Sequence, residues 1–227
     1  MTVFKLTKKL VFPPPELADD DGLLAVGGDL SVDRLVLAYS MGIFPWYSNK
    51  YPILWWSPDP RLILFPVELT VSRSLRQTIK KGIYRVTTNA AFEDVIRSCA
   101  TITRKGEKGT WITDDMIQAY IRLHKAGYAH SVEAWDGDEL AGGFYGVILG
   151  KAFFGESMFA KKSDASKVAF ATFAIGLAGK GFELIDCQVT TEHMKRFGAR
   201  EISRAEFMKH LRKSTESNDR TGALTLI

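Results

Sequence analysis

At 227 residues, 46% of them hydrophobic, the chain is long enough for one sizeable core, or for one full domain with a small companion. Its formal net charge of +4, from 30 basic and 26 acidic side chains, excludes bulk charge as the source of binding to a polyanion, so an anionic partner must meet a local basic patch. Cys99 and Cys187 lie far apart and form no metal-ligand pattern, which excludes a disulfide scaffold and leads us to expect a reducing compartment, the cytosol. Met1 to Leu10 contains no signal-peptide apolar region, and the apolar runs Leu140 to Gly150 and Val168 to Gly179 are too short to span a bilayer.

The fold class expected is α+β, with a small N-terminal module over residues 1–60 and a larger domain over 61–227 that ends in a polar tail. The first module is rich in Pro, Gly and aromatics, as in Phe12-Pro13-Pro14-Pro15, Gly22 to Asp29 and Gly42 to Tyr47. Ser31 or Asp33 caps a helix to about Met41, Gly42 and Pro45 stop it, and Ile53 to Trp56 is a strand. Pro58-Asp59-Pro60 is the junction. Arg61 to Phe65 then reads as a strand and Ser72 to Lys81 as a helix capped by Ser72. On it Arg73, Arg76 and Lys80 share a face, with Lys81 adjacent. The plainer reading of that stripe is a solvated face, and the sharper one is contact with a phosphate backbone.

A helix over Ala91 to Ala100 and a charged loop from Thr103 to Gly109 precede Thr110-Trp111-Ile112-Thr113. The next helix runs from Asp114 to Ala126 and is capped by Gly127. Strands follow at His130 to Trp135 and Glu139 to Ile148, joined by an Asp136-Gly137-Asp138 turn, and then at Phe153 to Phe159. An apolar helix from Ser166 to Ala178 ends at Gly179 or Gly181, and Leu184 to Val189 is the last strand, followed by a short helix ending in Phe197-Gly198-Ala199. From Lys213 onward the chain is a polar tail.

Two of these strands carry the chemistry. Glu156 and Asp186 each interrupt an otherwise apolar strand, where carboxylates rarely sit unpaired. A buried acid of this kind can instead pair with an Arg or Lys and hold two strands in register. Two such acids, with Gln188 beside one of them, point to a reaction or cation site. Several chemistries are set aside. Gly155 to Phe159 has Phe where a nucleophile elbow needs its second Gly, which leaves Ser157 a structural role. His124, His130, His193 and His210 lack metal-ligand spacing, and each is expected at the surface or hydrogen-bonded, so no metal is expected. Gly142 to Gly146 lacks the nucleotide-binding spacings, and its glycines are expected to admit a close backbone or ligand.

The succession of three strands, helix, strand and short helix resembles the core of the GNAT-type acyltransferases. After Phe159, however, Ala160 to Ser166 lacks the Gly-rich turn that holds the CoA pyrophosphate. The resemblance becomes close in eight segments taken in order: Gly22 to Asp29, Gly42 to Trp46, Ile53 to Arg61, Gly109 to Thr113, His130 to Glu133, Gly155 to Phe159, Ala165 to Lys167 and Leu184 to Val189. Together, over about residues 12–205, they resemble the leucyl/phenylalanyl-tRNA-protein transferases.

That resemblance implies a bacterial cytosolic enzyme with a GNAT-like catalytic domain and no metal or CoA. Such an enzyme moves Leu, Phe or weakly Met from aminoacyl-tRNA to the α-amino group of proteins beginning with Lys or Arg, marking them for degradation. It implies a site in which Asp186 and Gln188, on one strand face, position the attacking amine, with Asp186 as one proton acceptor beside the tRNA ribose hydroxyl and water. Glu156 would hold either the donor's α-amino group or the acceptor's basic side chain. Phe144, Phe153, Gly155, Met158, Phe173 and Ile185 would form the aminoacyl pocket. Trp46 and Trp111 would stack on the terminal adenosine, while Trp55 and Trp56 are expected in the core. Arg73, Arg76, Lys80 and Lys81 would touch the tRNA backbone. Where relatives carry Met and Cys, Phe144 and Phe154 are expected to narrow the pocket and favour Leu. The partners expected are Leu-tRNA, Phe-tRNA and proteins with N-terminal Lys or Arg, with no membrane, and the enzyme itself is expected to be a monomer. The rival readings are a CoA-dependent N-acetyltransferase and a tRNA-binding module without catalysis.

Overall fold

The computed structural model describes residues 3–102 and 111–215. The expected loop Thr103 to Gly109, Thr110 and the tail beyond Thr215 lie outside the described residues. The first module forms a four-stranded sheet from β1 (Phe4–Leu6), β2 (Leu23–Gly27), β3 (Phe44–Pro45) and β4 (Leu54–Trp56), in the order β1-β2-β4-β3. Helix α1 (Val32–Ser40) begins where expected, because the Ser31 hydroxyl accepts from the Arg34 backbone N–H. The Arg34 side chain is buried and donates to the carbonyls of Thr7 and Lys9 at 3.0 and 3.1 Å, tying down the N-terminal segment. At the other end of α1, Gly42 turns with φ 69°, and a Cβ there would lie 2.7 Å from the Phe207 ring. Only glycine both adopts that conformation easily and leaves that space.

The second sheet has seven strands. In chain order they are β5 (Arg61–Leu64), β6 (Arg85–Thr88), β7 (Ala129–Asp136), β8 (Glu139–Leu149), β9 (Ala152–Ala160), β10 (Leu184–Gln188) and β11 (Arg200–Ile202). In space they run β11-β5-β10-β9-β8-β7-β6, antiparallel except for β9 and β10. That parallel pair requires a crossover, which is α5 (Ala165–Gly179). Its near-continuous apolar sequence reflects burial on most sides, with Ile175 left exposed. One face of the sheet packs α5 and α2 (Arg73–Lys80) over Leu62, Phe144, Phe153 and Ile185. The other face, with Ile63, Tyr145, Phe154 and Leu184, packs against α3 (Phe92–Thr101), α4 (Asp114–Lys125) and α7 (Arg204–Thr215). Leu24, Tyr39 and Trp55 of the first module belong to this second core, so it extends across the expected boundary.

Most expected elements appear within a residue or two. The first residues of the expected polar tail belong to α7, which continues to Thr215 and buries Phe207, Leu211 and Ser214. The short helix α6 (Glu192–Lys195) is capped by the Thr191 hydroxyl, and Phe197 to Ala199 follow it. The glycines of β8 admit backbone, as expected. A Cβ on Gly142 would lie 2.9 Å from the Ser166 backbone N at the start of α5, and one on Gly146 would lie 2.2 Å from the Phe154 carbonyl. Gly146→Ala is therefore expected to force the β8–β9 ladder apart and lower stability by about 1–3 kcal/mol in urea unfolding; an unchanged midpoint would contradict this close fit.

Candidate active site

Strands β9 and β10 pair only at Leu184 with Ala152, Ile185 with Phe153 and Asp186 with Phe154. Beyond these pairs β9 runs on to Ala160 beside β8, whereas β10 ends at Gln188. A cavity of about 680 Å³ opens where the two strands part, and it is lined by side chains from both faces of the sheet. Phe144, Phe153, Met158 and Ile185 come from the α5 face. Glu156, Gln188 and Asp186 border the same space, as do Trp46 and Trp111.

The two acids are held in different ways. Asp186 is fully buried against the equally buried Arg61 of β5. Arg61 Nε and Nη2 donate to its two carboxylate oxygens at 2.9 and 2.7 Å, and the backbone N–H of Gln188 donates to Oδ1 at 2.8 Å. The Arg61 guanidinium lies between the rings of Phe44 and Phe207, at 4.8 and 4.7 Å from their centroids. This is the pairing that fixes strands in register, one of the two arrangements the sequence left open. Asp186 is expected as one of three proton acceptors; in the structure both its oxygens are already engaged and its side chain is fully buried at the edge of the cavity.

The expectation that Asp186 and Gln188 share a plain strand face is corrected. Cys187 forms a bulge, so Asp186 pairs with Ile63 while Gln188 pairs with the adjacent Leu62, and Gln188 adopts φ 62°. The turn that feeds the Gln188 N–H to Asp186 sends its side-chain amide to Glu156 Oε1 at 2.8 Å. Burial raises the Cys187 thiol far above its usual range, so this residue stays a neutral thiol.

Glu156 is half-buried beneath the cavity. The Tyr39 hydroxyl of α1 donates to Oε1 at 2.7 Å and the Tyr120 hydroxyl of α4 to Oε2 at 3.0 Å, and the two phenol oxygens also touch. Burial pushes its carboxyl up to about 7, with Asp186 adding to the rise and the three donors partly opposing it. Burial, followed by the Glu156 charge, drives both phenols well above their ordinary range, so they remain O–H donors.

Of the expected pocket residues, Phe144, Phe153, Gly155, Met158 and Ile185 line the cavity. Phe173 is corrected to a backing position: it is fully buried behind Phe144 and Phe153, with ring centroids 5.3 and 4.7 Å away. Phe154 does not narrow the cavity either, since it lies on the opposite face against Tyr39, with rings 5.1 Å apart. Trp46 is 41% exposed and braced by Trp56, whose Nε1 donates to the Trp46 carbonyl at 2.7 Å. Trp55 is in the core, as expected, and Trp56 is half-buried. Arg73, Arg76, Lys80 and Lys81 are exposed, make no ion pair among the described residues and stand apart from the cavity wall.

Sequence reasoning missed Arg61, Tyr39, Tyr120, Phe170 and His193. Arg61 left a signal as the one charge at the head of an apolar strand, whereas the tyrosines look like ordinary helix-core aromatics. His193 departs from the expectation of a surface or hydrogen-bonded histidine: it borders the cavity, and its Nε2 has no partner among the described residues. His130 is buried beside Asn89, 3.1 Å away, and burial lowers it to about 4.

The geometry stands beside several likenesses to known sequences. A family model described as leucyl/phenylalanyl-tRNA protein transferase matches residues 63–212, and one for the N-terminal domain of the same family matches 28–59. A relative from Anaeromyxobacter dehalogenans (strain 2CP-C), named leucyl/phenylalanyl-tRNA--protein transferase, is 60% identical over 95% of this chain and 93% of its own. Relatives of the same name from Anaeromyxobacter sp. (strain Fw109-5) and Solidesulfovibrio magneticus are 62% and 54% identical, over 93% and 100% of this chain and 90% and 92% of theirs.

Two outcomes follow from the ionic arrangement. Arg61→Ala leaves a buried, unpaired carboxylate and is expected to destabilise the fold by about 3–5 kcal/mol in chemical denaturation; a loss below about 1 kcal/mol would contradict the pairing. For Glu156, the folded carboxyl keeps its proton up to about pH 7, while the ordinary value is 4.5. The folded chain thus binds the extra proton between those values, so this group's stabilising contribution is complete below about pH 4.5 and is lost as pH rises to about 7. Glu156→Gln should flatten that segment of the stability curve, as read by urea unfolding at both ends of the window.

Proposed function

We infer that this chain, which belongs to the leucyl/phenylalanyl-tRNA protein transferase family, transfers Leu or Phe, and Met weakly, from aminoacyl-tRNA to the α-amino group of proteins with N-terminal Lys or Arg. The product is a peptide bond that marks the acceptor for degradation. The observation that carries this reading is that one cavity gathers an apolar aromatic pocket, two tryptophans and a polar pair, Glu156 with Gln188. These suit the side chain, terminal adenosine and reacting groups of an aminoacyl ester.

The parting of β9 and β10 supports a GNAT-like catalytic domain, because it opens one continuous site across the sheet. The two family matches, on either side of about residue 60, support the division into a module over 1–60 and a domain over 61–227. A Leu or Phe side chain enters between Phe144, Phe153, Met158 and Ile185 beside Gly155, with Phe173 backing the wall. Gly155 leaves open the space that a side chain there would occupy, since a Cβ would meet no atom closer than 3.5 Å. The tRNA's terminal adenine stacks on Trp46 and Trp111, a contact worth roughly 1–3 kcal/mol per base, and its phosphates follow Arg73, Arg76, Lys80 and Lys81.

Aminolysis of an ester needs positioning more than a strong base, because an α-amino group with a pKa of about 7.7–8.0 is already partly neutral near pH 7. Holding amine and ester in attack geometry supplies roughly 7–11 kcal/mol. Gln188 has its amide N–H engaged with Glu156, which turns its carbonyl oxygen toward the role of accepting from the incoming amine. Arg61 and Asp186 fix the strained backbone that aims Gln188, so Asp186 acts as a positioning residue. Glu156 draws the cationic group of the acceptor into the site by charge-assisted hydrogen bonding. The enzyme works in the cytoplasm as a monomer; none of its described helices is long and apolar enough to cross a membrane.

The direct test supplies labelled Leu-tRNA with one peptide beginning with Arg and another beginning with Ala. Transfer to the Arg peptide alone, unaffected by CoA or chelator, is expected; tRNA binding without transfer would favour a binding module. In matched competition Leu should outcompete Phe, and Phe144→Met should narrow that gap roughly tenfold. A wild-type preference for Phe would contradict the role given to Phe144.

A further inference from the structure

We propose that Glu156 takes the proton released by the attacking α-ammonium group, and that Tyr39 and Tyr120 are the positioning residues that let a buried carboxyl do so. This rests on the transfer activity inferred above. Ionised Glu156 accepts from the Tyr39 hydroxyl, the Tyr120 hydroxyl and the Gln188 amide. Once protonated, it presents a new O–H that needs an acceptor. The contact between the two phenol oxygens meets that need: one phenol turns its proton from the carboxylate to its neighbour and exposes a lone pair to the new O–H. The three groups therefore hold two protons or three without stranding a buried donor, which would otherwise be costly.

Asp186 is not an equal candidate, since Arg61 and the Gln188 N–H occupy both its oxygens. The groups facing Glu156 come from every element packed on it. Tyr39 is on α1 and Tyr120 on α4, with Tyr145 of β8 beside Tyr120, while Gln188 and Asp186 are on β10, and Asp186 is neutralised by Arg61 of β5. Glu156 borders the cavity with Gln188, Asp186 and Tyr145, and burial raises its carboxyl to about 7.

The acceptor arrives as an ammonium and gives one proton to the Glu156 carboxylate. Its freed lone pair forms the N–C bond at the ester carbonyl. As the C–O bond to the tRNA ribose breaks, the departing oxygen takes the second proton from nitrogen. The products are an amide and a ribose hydroxyl, and Glu156 returns its proton to water. Tyr39 makes the first module part of this chemistry, because α1 supplies one of the two phenols.

The test compares wild type, Tyr39→Phe, Tyr120→Phe and the double variant in single-turnover transfer from Leu-tRNA to an Arg-initiated peptide over pH 5.5–9. The Glu156 carboxyl is titrated in parallel by carbon-13 NMR, with Glu156→Gln identifying the signal. Each Tyr→Phe change removes one donor to the carboxylate. It should move the carboxyl midpoint and the acid limb of the rate profile upward together by roughly 0.5–1 pH unit, and lower the rate constant at pH 7 about 2- to 6-fold with little change in KM. Variants that transfer at the wild-type rate, or whose acid limb does not follow the carboxyl midpoint, would overturn the proton-acceptor role. A wild-type chain that titrates as expected yet transfers nothing to the peptide would instead overturn the underlying reading, and the proposal with it.

Discussion

The ion pair between Arg61 and Asp186 sets the geometry on which the site depends. Removing two charges from water is expensive, and their attraction offsets this only when the geometry is good and the remaining hydrogen-bonding capacity is satisfied. Here the contact is bidentate, a backbone N–H completes the carboxylate, and two aromatic rings lie against the guanidinium, whose Nη1 is the one buried donor of the pair left without a hydrogen-bond partner among the described residues. Such a pair is better understood as a device for register than as a source of stability. It locks β5 to β10 at the residue where the ladder shifts, and holds Gln188 in a left-handed conformation that a non-glycine residue adopts only at a cost of about 1–3 kcal/mol. The strain has a visible result, in that one residue links the acid behind the sheet, through its backbone, to the acid in the cavity, through its side chain.

The cavity follows from the same local arrangement. Parallel pairing between β9 and β10 lasts only as far as Asp186, because the bulge turns β10 aside while β8 keeps hold of β9. The opening exposes apolar side chains from one face of the sheet and polar ones from the other, and places them within reach of a single ligand. Gly146 and Gly142 keep β8 close to β9 and to the start of α5. The first module gives Trp46 to the cavity wall and the Tyr39 hydroxyl to Glu156, and its core is continuous with that of the larger domain.

Much of this organisation was legible in the sequence. The helices announced themselves through Ser31, Ser72 and the glycines after α4 and α5, and the strands through apolar runs between turns. That Glu156 and Asp186 would be buried was also legible, since each interrupts an apolar strand. What could not be read was which acid would have a cationic partner, because Arg61 lies 125 residues before Asp186 and meets it only through strand pairing. The bulge at Cys187 was hidden for a similar reason: a strand period of two assumes an uninterrupted ladder. Tyr39 and Tyr120, 81 residues apart, carry no local mark distinguishing a phenol that holds a carboxylate from one that merely packs. Phe173 and Phe154 were misplaced because their position relative to the cavity is decided by which face of the sheet each occupies, and by how α5 crosses it.

The measurement closest to the central claim is a crystal structure of the chain with a non-hydrolysable leucyl-adenosine amide. The leucyl side chain is expected between Phe144, Phe153 and Ile185, the adenine against Trp46 and Trp111, and the amide beside Gln188 and Glu156, with the Arg61–Asp186 pair intact. A ligand bound elsewhere, or an Asp186 carboxylate that leaves Arg61 to contact the ligand, would contradict it.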